Sequence, residues 1–463
     1  MKTKLTVLVL FVAMSVGPSA VARPLSRREV IALALSVSPR VAAARAEEMA
    51  ATAVKGQADA ARWPQLSLAT VVGPTLQASL VPGTAVLSTK SAYNSSLGIN
   101  DFTAFVDAEL SLIQPLYTFG KISSRREAAE AGIRARKAQT EMTRQEVALQ
   151  AAQFYEGFLY ARDAELFFEE IDHTLAGSLQ STSDRLTAGK QGVSSEDMLR
   201  LQVAQRVAAL GRNRARAAQR EAAAAVRAWI GLPSGDDLEV SEAHLDAISE
   251  GAPEDAQALA ALALAHRPEL AALDAGATAR HRLADAERSG YWPDLFAMGY
   301  VSAAYAPGRD LVDTRYTSDP YYHFVPGIVV GLNWKLQGPM AGRRADEADA
   351  EALALEQTRR WVVAAVPAAV QKPFEEARRA RGDIGDCTEG LHAAKQWLVH
   401  TTADYAAGLT DSRAVTDSVE AYAMLRTSSL EARYRFNTAL AELAWATGTL
   451  GENGSTIYPG VTP

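Results

Sequence analysis

The sequence predicts a mainly α-helical, internally duplicated chain that contributes four β-strands to a membrane β-barrel. Three observations support this fold class: a long-range repeat, segments of alternating apolar residues, and a very long helical hairpin in each half. The chain has 463 residues, 48% of them hydrophobic and 22% charged, so a large packed structure is expected rather than disorder. The net charge of −7 argues against nucleic-acid binding, and a single Cys argues against thiolate metal clusters.

Residues 1–22 are typical of a secretory signal peptide. A start containing two lysines precedes an apolar run from Leu5 to Val16, and Ala-Val-Ala at 20–22 supplies a small-x-small cleavage pattern. The apolar run is too short for a helical span, and no later stretch reaches the roughly 18 apolar residues that such a span needs. Cleavage before Arg23 and export from the cytoplasm are therefore predicted.

Two halves of the chain are related by a repeat. Trp63-Pro64 in the first half matches Trp292-Pro293 in the second, at the same distance from the paired prolines Pro39 and Pro268. The period is far longer than the roughly 20–50 residues of solenoid repeats, so a duplicated domain is expected. The predicted boundaries are a signal peptide at 1–22, a first repeat at 23–231, an inter-repeat linker at 232–255, a second repeat at 256–448 and a C-terminal tail at 449–463.

Each half is predicted to contain two strands after its Trp-Pro pair. The strands are indicated by alternation with a period of two, with one face apolar and the other small or polar. The alternating sets are Val106, Ala108, Leu110 and Leu112 against Asp107, Glu109 and Ser111; Ile328, Val330 and Leu332 against Val329, Gly331 and Asn333; and Phe296, Met298 and Tyr300 against Leu295, Ala297 and Gly299. Long loops rich in Gly, Pro, Ser and Thr are expected between paired strands.

A long helical hairpin follows the strands in each half. The segment from Lys121 to Thr187 contains no Pro, and as one helix it would be roughly 100 Å long at 1.5 Å per residue. Its apolar residues recur at coiled-coil spacing, and a returning arm is marked by the series Leu199, Val203, Val207 and Leu210. Gly189 and Gly408 mark the two hairpin turns. In the second half Pro367 and Pro373 predict a kink or local unwinding.

Four strands with one apolar face cannot stand alone. In water the apolar face and the open edges would aggregate, and in lipid the edges would leave backbone groups unpaired. Oligomerisation solves both problems, because two protomers give an eight-stranded barrel filled by side chains, and three give a twelve-stranded barrel. An open duct favours three protomers, with the barrel extended by a helical tube.

With these features the chain resembles the TolC-type outer-membrane efflux proteins over nearly all of its mature sequence. The resemblance implies a homotrimer with a twelve-stranded barrel in outer-membrane lipid and a coiled-coil tunnel in the periplasm. It also implies a periplasmic adaptor (membrane fusion protein) and an inner-membrane pump, which together form a tripartite efflux or type I secretion system. In this family the hairpin tips contact the adaptor, which implies that role for Gly189, Lys190, Gly408 and Leu409. The alternative is that these glycines only terminate helices.

The same resemblance implies a gate near the second hairpin tip. Tyr405 occupies the position of the family's gate tyrosine, and Asp417 matches one of two acidic positions that line the constriction. The second acidic position holds Ala414 and the gate arginine position holds Thr410, although Arg413 is nearby, so the family pattern is only partly matched. A ring of three Asp417 side chains would attract cations. The alternative is that Asp417 is an ordinary solvated helix residue.

Aromatic residues flank the predicted strands. Trp63, Trp292 and Trp334 suit the membrane-interface girdles of a barrel, although the Trp-Pro pairs could instead pack the junctions of strand and helix. The sequence has no HExxH motif, phosphate loop or nucleophile elbow, so no catalytic residue, cofactor or metal site is predicted and the chain is not expected to be an enzyme.

A secreted periplasmic coiled-coil scaffold or adaptor is the competing function, because long helical hairpins occur there too. The four amphipathic strands favour the duct, and a secreted hydrolase is a distant third because it would need a catalytic constellation. Within the duct interpretation, a drug, a protein or a metal ion could each be the exported substrate.

Overall fold

The computed structural model describes residues 24–89, 97–189, 193–233, 237–248, 255–312, 319–336 and 339–451. The predicted signal peptide, Lys190 and nearly all of the predicted C-terminal tail lie outside the described residues. Among the described residues, no helix combines the length and apolar character that a transmembrane helix requires.

Long helices dominate the described residues, and the same order of helices and strands occurs twice. The helices are α1 (Arg27–Val37), α2 (Pro39–Ala60), α3 (Lys121–Thr187), α4 (Ser195–Ile230), α5 (Ala256–His266), α6 (Pro268–Arg288), α7 (Met340–Ala407) and α8 (Ser412–Thr447). The strands are β1 (Gln65–Leu76), β2 (Ala78–Leu80), β3 (Leu87–Thr89), β4 (Phe102–Tyr117), β5 (Asp294–Tyr305) and β6 (His323–Asn333). Each half runs through two helices, two long strands and two further helices, and the boundaries of the repeats stay a prediction.

Local sequence signals set the ends of several helices. α1 and α4 each begin with a capping box, in which Ser26 pairs with Glu29 and Ser194 pairs with Asp197. α8 ends at Gly448, which has a φ of +72° and lies so close to α5 that a Cβ would be 2.7 Å from the carbonyl oxygen of His266. Only glycine fits this left-handed position without displacing the neighbouring backbone.

α7 crosses two prolines without a break. Its helix continues through Pro367 and Pro373, so the local unwinding that these residues predicted does not occur.

One antiparallel sheet contains the four long strands in the order β1-β4-β5-β6. Leu112 lies opposite Leu66 on β1 and Gly299 on β5, and Gly299 in turn lies opposite Ile328 on β6. Directly opposed residues share a face of the sheet. The apolar face therefore comprises Leu66, Leu68, Leu110, Leu112, Val301, Ile328 and Val330, and the polar face comprises Ser67, Asp107, Glu109, Ser111 and Ser302.

The larger residues of β5 lie on the polar face, which corrects the expectation that they would lie on the apolar one. Tyr300 lies opposite both Ser111 and Gly327, and Phe296 lies opposite Gly331. A Cβ at Gly327 would be 2.4 Å from the Tyr300 ring, and one at Gly331 would be 2.6 Å from the Phe296 ring. Each ring therefore occupies the space above a glycine of β6, which alternation within β5 alone could not indicate.

The chain divides into two compact units. The helical unit comprises Met1–Ala44, Thr140–Pro268 and Val362–Pro463, and the sheet unit comprises Arg45–Gln139 and Glu269–Trp361. The largest core of the helical unit joins α1, α3 and α4 through fully buried residues such as Ile31, Val147 and Val226.

The apolar series that predicted the returning arm of the first hairpin lies on α4, where it is exposed in the single chain. Leu199, Val203, Val207 and Leu210 on α4 keep between 57% and 65% of their surface accessible. The buried positions are Leu201, Ala208 and Ala215, on another side of the same helix. α4 therefore has two apolar faces, and only one is covered within a single chain.

Candidate functional site

The two hairpin tips lie in the helical unit. Gly189 and Gly408 both have positive φ, +62° and +80°, and both are exposed. At the second tip the Gly408 amide donates to the Tyr405 carbonyl, and the Leu409 amide donates to the Asp404 carbonyl at 2.8 Å. Leu409 itself is 78% exposed. The glycines therefore do terminate their helices, and the second turn presents an apolar side chain to solvent.

Tyr405 is buried beneath this second tip, with 1% of its surface exposed. Its hydroxyl lies 2.5 Å from the hydroxyl of Thr182 on α3. Thr182 donates its own hydrogen to the Ser178 carbonyl at 2.7 Å, so Tyr405 is the donor to Thr182. The phenol therefore fastens the end of α7 to α3 through a neutral hydrogen bond.

Arg185 is the second residue that holds Tyr405, and the sequence interpretation missed it. It lies in the last turn of α3, is 8% exposed and donates from Nη1 to the Tyr405 carbonyl at 2.8 Å. Its guanidinium carbon also lies 5.6 Å from the centre of the Tyr405 ring. The carbonyl belongs to the C-terminus of α7, where the helix dipole favours a cation. The available signal was a basic residue four positions before the tip glycine.

A further link joins the beginnings of α4 and α8. The Ser412 hydroxyl donates to the carboxylate of Asp197, which also accepts the backbone N–H and the hydroxyl of Ser194. Burial raises the pKa of Asp197, but these hydrogen bonds from Ser412 and Ser194 outweigh it and hold the pKa below its usual value. The two hairpins are therefore fastened on both sides of their turns.

Asp417 and Arg413 lie on α8, where both are exposed. Arg413 Nε lies 3.9 Å from Asp417 Oδ2, one helical turn away, and the two side chains keep 72% and 55% of their surface accessible. The two side chains thus form an exposed ion pair within one helix. The structure thus brings Tyr405 together with Thr182 and Arg185, and not with Arg413 or Asp417.

The aromatic residues predicted as a membrane girdle lie in the sheet unit, at the strand ends that join the helices. Trp63, Trp292 and Trp334 are 61%, 56% and 55% exposed. Trp292 stacks on Phe119 at 5.4 Å, and the indole N–H of Trp334 donates to the Tyr291 carbonyl at 3.1 Å. Exposed indoles at one end of an apolar sheet suit a boundary between lipid and water.

The apolar face of the sheet is largely uncovered in the single chain. Leu66 and Val330 are each 68% exposed, and Ile328 is 88% exposed. A contiguous apolar surface of this kind marks contact with protein or lipid.

Comparison with known proteins finds a family match to the first half of the chain. Residues 30–232 match the model of the outer membrane efflux protein family. No curated protein matches the chain, whereas 23 chains of solved structures do.

Three solved outer-membrane proteins illustrate the similarity in fold. VceC of Vibrio cholerae is 15% identical with a TM-score of 0.73, covering 91% of this chain and 96% of its own. The open state of Neisseria gonorrhoeae MtrE is 16% identical with a TM-score of 0.72, covering 91% and 88%. Campylobacter jejuni CmeC is 13% identical with a TM-score of 0.72, covering 91% and 85%. Residues 30–232 therefore match the outer membrane efflux protein family, and the fold of both halves is that of solved outer-membrane proteins.

Proposed function

We propose that three copies of this chain form the outer-membrane duct of a tripartite efflux or type I secretion system. The observation that carries the proposal is the four-stranded sheet, which has an exposed apolar face, an opposite face bearing acids and hydroxyls, and two long edges. In a membrane, the apolar face is stable when it forms the outer surface of a closed barrel and contacts lipid. The polar face then lines a water-filled lumen.

Closure of the barrel requires the sheet edges. β1 and β6 are the outer strands of the sheet, so β6 of one protomer would pair with β1 of the next. Three copies would give twelve strands, enough to leave an open lumen. The exposed indoles of Trp63, Trp292 and Trp334 would then form a girdle at the periplasmic interface, because they lie where the strands meet the helices.

The exposed stripe on α4 supports the trimer. Leu199, Val203, Val207 and Leu210 follow one face of the helix with coiled-coil spacing, and the chain itself does not cover them. A neighbouring protomer would cover this stripe and continue the coiled coil around the tunnel.

The tips would serve as the periplasmic gate and the adaptor-docking surface. Thr182 and Arg185 would hold Tyr405 in place and so keep the gate closed. Asp417 and Arg413 would line the constriction as exposed charges. Leu409 and the turns containing Gly189, Lys190 and Gly408 would contact the adaptor, with Leu409 supplying an apolar anchor. An inner-membrane pump would supply the energy for transport, so this chain acts as a conduit and not as an enzyme.

Purified full-length protein tests the proposal. The chain is expressed in a Gram-negative host and extracted from the outer membrane in mild detergent, and its particle mass and bilayer conductance in KCl are measured. A trimer with small cation-selective currents that grow in Tyr405→Phe and Arg185→Ala supports the duct. A periplasmic monomer or dimer that is silent in bilayers would instead support a coiled-coil scaffold or adaptor.

A further inference from the structure

The described parts of the two loops at the sheet end far from the helices are hydrogen-bonded to each other. The relevant segments are 77–89 and 97–101 from the β1–β4 connection and 306–312 and 319–322 from the β5–β6 connection. We call the described residues 306–312 and 319–322 the outer cap. Its residues Ala306 and Val312 are buried, as is Ala78 of the other connection, which forms a parallel β-bridge with Arg309 of the cap.

The outer cap lies over the polar face of the sheet. Tyr321 packs edge-on against Phe105 with ring centres 5.0 Å apart, and the Thr103 hydroxyl donates to the Pro307 carbonyl. Phe105 and Thr103 have the same parity as Asp107 on β4, so both belong to the polar face. On that face Thr75 is 6% exposed near the cap, whereas Val72 on the apolar face keeps 68% of its surface accessible.

A buried ion pair holds the outer cap together. Arg309 donates from Nε and Nη2 to the two carboxylate oxygens of Asp319 at 2.7 and 2.9 Å. The side chains are 7% and 0% exposed. The guanidinium also donates to the Leu76 carbonyl at the end of β1 and lies 4.9 Å from the centre of the Tyr321 ring. Because the guanidinium presents its N–H donors in a planar fork, Arg309 links both described segments of the cap to the end of β1.

Backbone hydrogen bonds join the cap to the other connection. The Ala78 amide donates to the Gly308 carbonyl at 3.2 Å, and the Asp310 amide donates to the Ala78 carbonyl at 3.0 Å. The carboxylate of Asp310 accepts the Leu80 amide at 2.9 Å. At the root of the cap, the His323 ring lies 2.7 Å from the Ser302 hydroxyl on the polar face. These hydrogen bonds hold the cap over the polar face of the sheet.

We propose that the outer cap is a constriction at the external mouth of the duct, held by Arg309 and Asp319 and separate from the periplasmic tips. The proposal rests on the proposed function, because the polar face is the lumenal face only in a barrel. Three caps, one from each protomer, would reduce the diameter of the external opening. The opening would then restrict bulky solutes more than small ones. Release of the ion pair would widen the mouth and leave the barrel wall intact.

Labelling from outside living cells tests the mouth independently of the tips. In a Cys387→Ser background, Glu109→Cys places a thiol on the polar face beyond the cap. Cells expressing the full chain are treated with a small sulfonated maleimide and with a maleimide on a long polyethylene glycol chain, neither of which crosses the outer membrane by itself. With the cap intact we expect fast labelling by the small reagent and slow labelling by the polymer. In Arg309→Ala/Asp319→Ala the polymer should react severalfold faster, with the small reagent unchanged.

Control variants separate the possible outcomes. Arg343→Ala/Asp346→Ala removes an exposed ion pair of the sheet unit and should leave both rates unchanged. Tyr321→Ala, which keeps the ion pair but removes the contact with Phe105, should also speed up the polymer and provides a second reading if the double variant folds poorly. Equal polymer rates in the parent and in both cap variants would overturn the constriction. Faster small-reagent labelling of Leu68→Cys than of Glu109→Cys would show that the apolar face is lumenal, and would overturn the proposed duct itself.

Discussion

Arg185→Ala should open the periplasmic tip. The guanidinium makes one buried, charge-assisted hydrogen bond of 2.8 Å to the Tyr405 carbonyl and stacks on the Tyr405 ring at 5.6 Å. Such a hydrogen bond contributes about 1.5–3 kcal/mol and the stacking about 0.5–2 kcal/mol. Even a net loss of about 2 kcal/mol would raise the ratio of open to closed tips by about 30-fold in each protomer.

The assay is the open probability of single trimers in planar bilayers. Arg200→Ala is the matched control, because Arg200 begins the other arm of the same hairpin but forms an exposed pair with Glu196, and such pairs contribute about 0–1 kcal/mol. Circular dichroism should show unchanged helix content in both variants, since Arg185 lies in the last turn of α3. If Arg185→Ala channels stay as closed as the parent, or if Arg200→Ala opens them equally, Arg185 does not hold the tip closed.

Three further changes follow from the same structure. Gly408→Ala should also loosen the tip in the conductance assay, because its φ is +80° and a Cβ would lie 3.0 Å from Arg185 Nη2, whereas Gly189→Ala meets open space and should have a smaller effect. Val203→Glu should convert trimers to monomers, as measured by particle mass in detergent, without lowering the melting temperature of the monomer, since Val203 is 65% exposed. Burial raises the pKa of Glu156, so the folded state binds a proton more tightly than the unfolded state. The free energy of unfolding should therefore rise as the pH is lowered through the pKa of the folded state, and Glu156→Gln should flatten that dependence in denaturant titrations.

Periodicity predicts the faces of a helix or strand but not which partner covers them. Leu199 and Val203 on α4 have the spacing of a coiled-coil seam, yet the chain buries Leu201 and leaves those two exposed. One helix can carry one seam for its own hairpin and another for a neighbouring chain, and a single sequence shows both as apolar periodicity. The series correctly predicted the helical arm, and it did not indicate which surface covers that face of the helix.

Alternation failed in β5 for a different reason. Phe296 and Tyr300 are large, so alternation within the strand favoured placing them on the apolar face with Ile328. The register across β5 and β6 instead places each ring above a glycine, which is a relation between strands and is invisible within one strand. The order of elements was predictable because Pro, Gly and charge mark element ends locally, whereas pairwise register depends on residues far apart in the sequence.

The contacts that hold the second hairpin tip were only partly predictable from the sequence. The resemblance implies a gate at Tyr405 with Arg413 near the gate arginine position. The structure instead places Thr182 and Arg185 of α3 against Tyr405, where the Thr182 hydroxyl accepts from the phenol and Arg185 donates to the Tyr405 carbonyl. Any donor or acceptor within hydrogen-bond distance can pair with a buried phenol. The residue type alone therefore does not predict which residue bonds to Tyr405.

Two buried arginines in separate units use the same chemistry. Arg185 donates to the Tyr405 carbonyl and stacks on its ring, and Arg309 donates to the Leu76 carbonyl and stacks on Tyr321. A guanidinium can do both at once because it is planar, carries five donors in a fixed fork and is weakly hydrated. A lysine would keep the charge but could not present a flat face to the ring while reaching a second acceptor. Each arginine therefore joins segments distant in the sequence with one side chain, which suits points that must hold a closed state and release it as a unit.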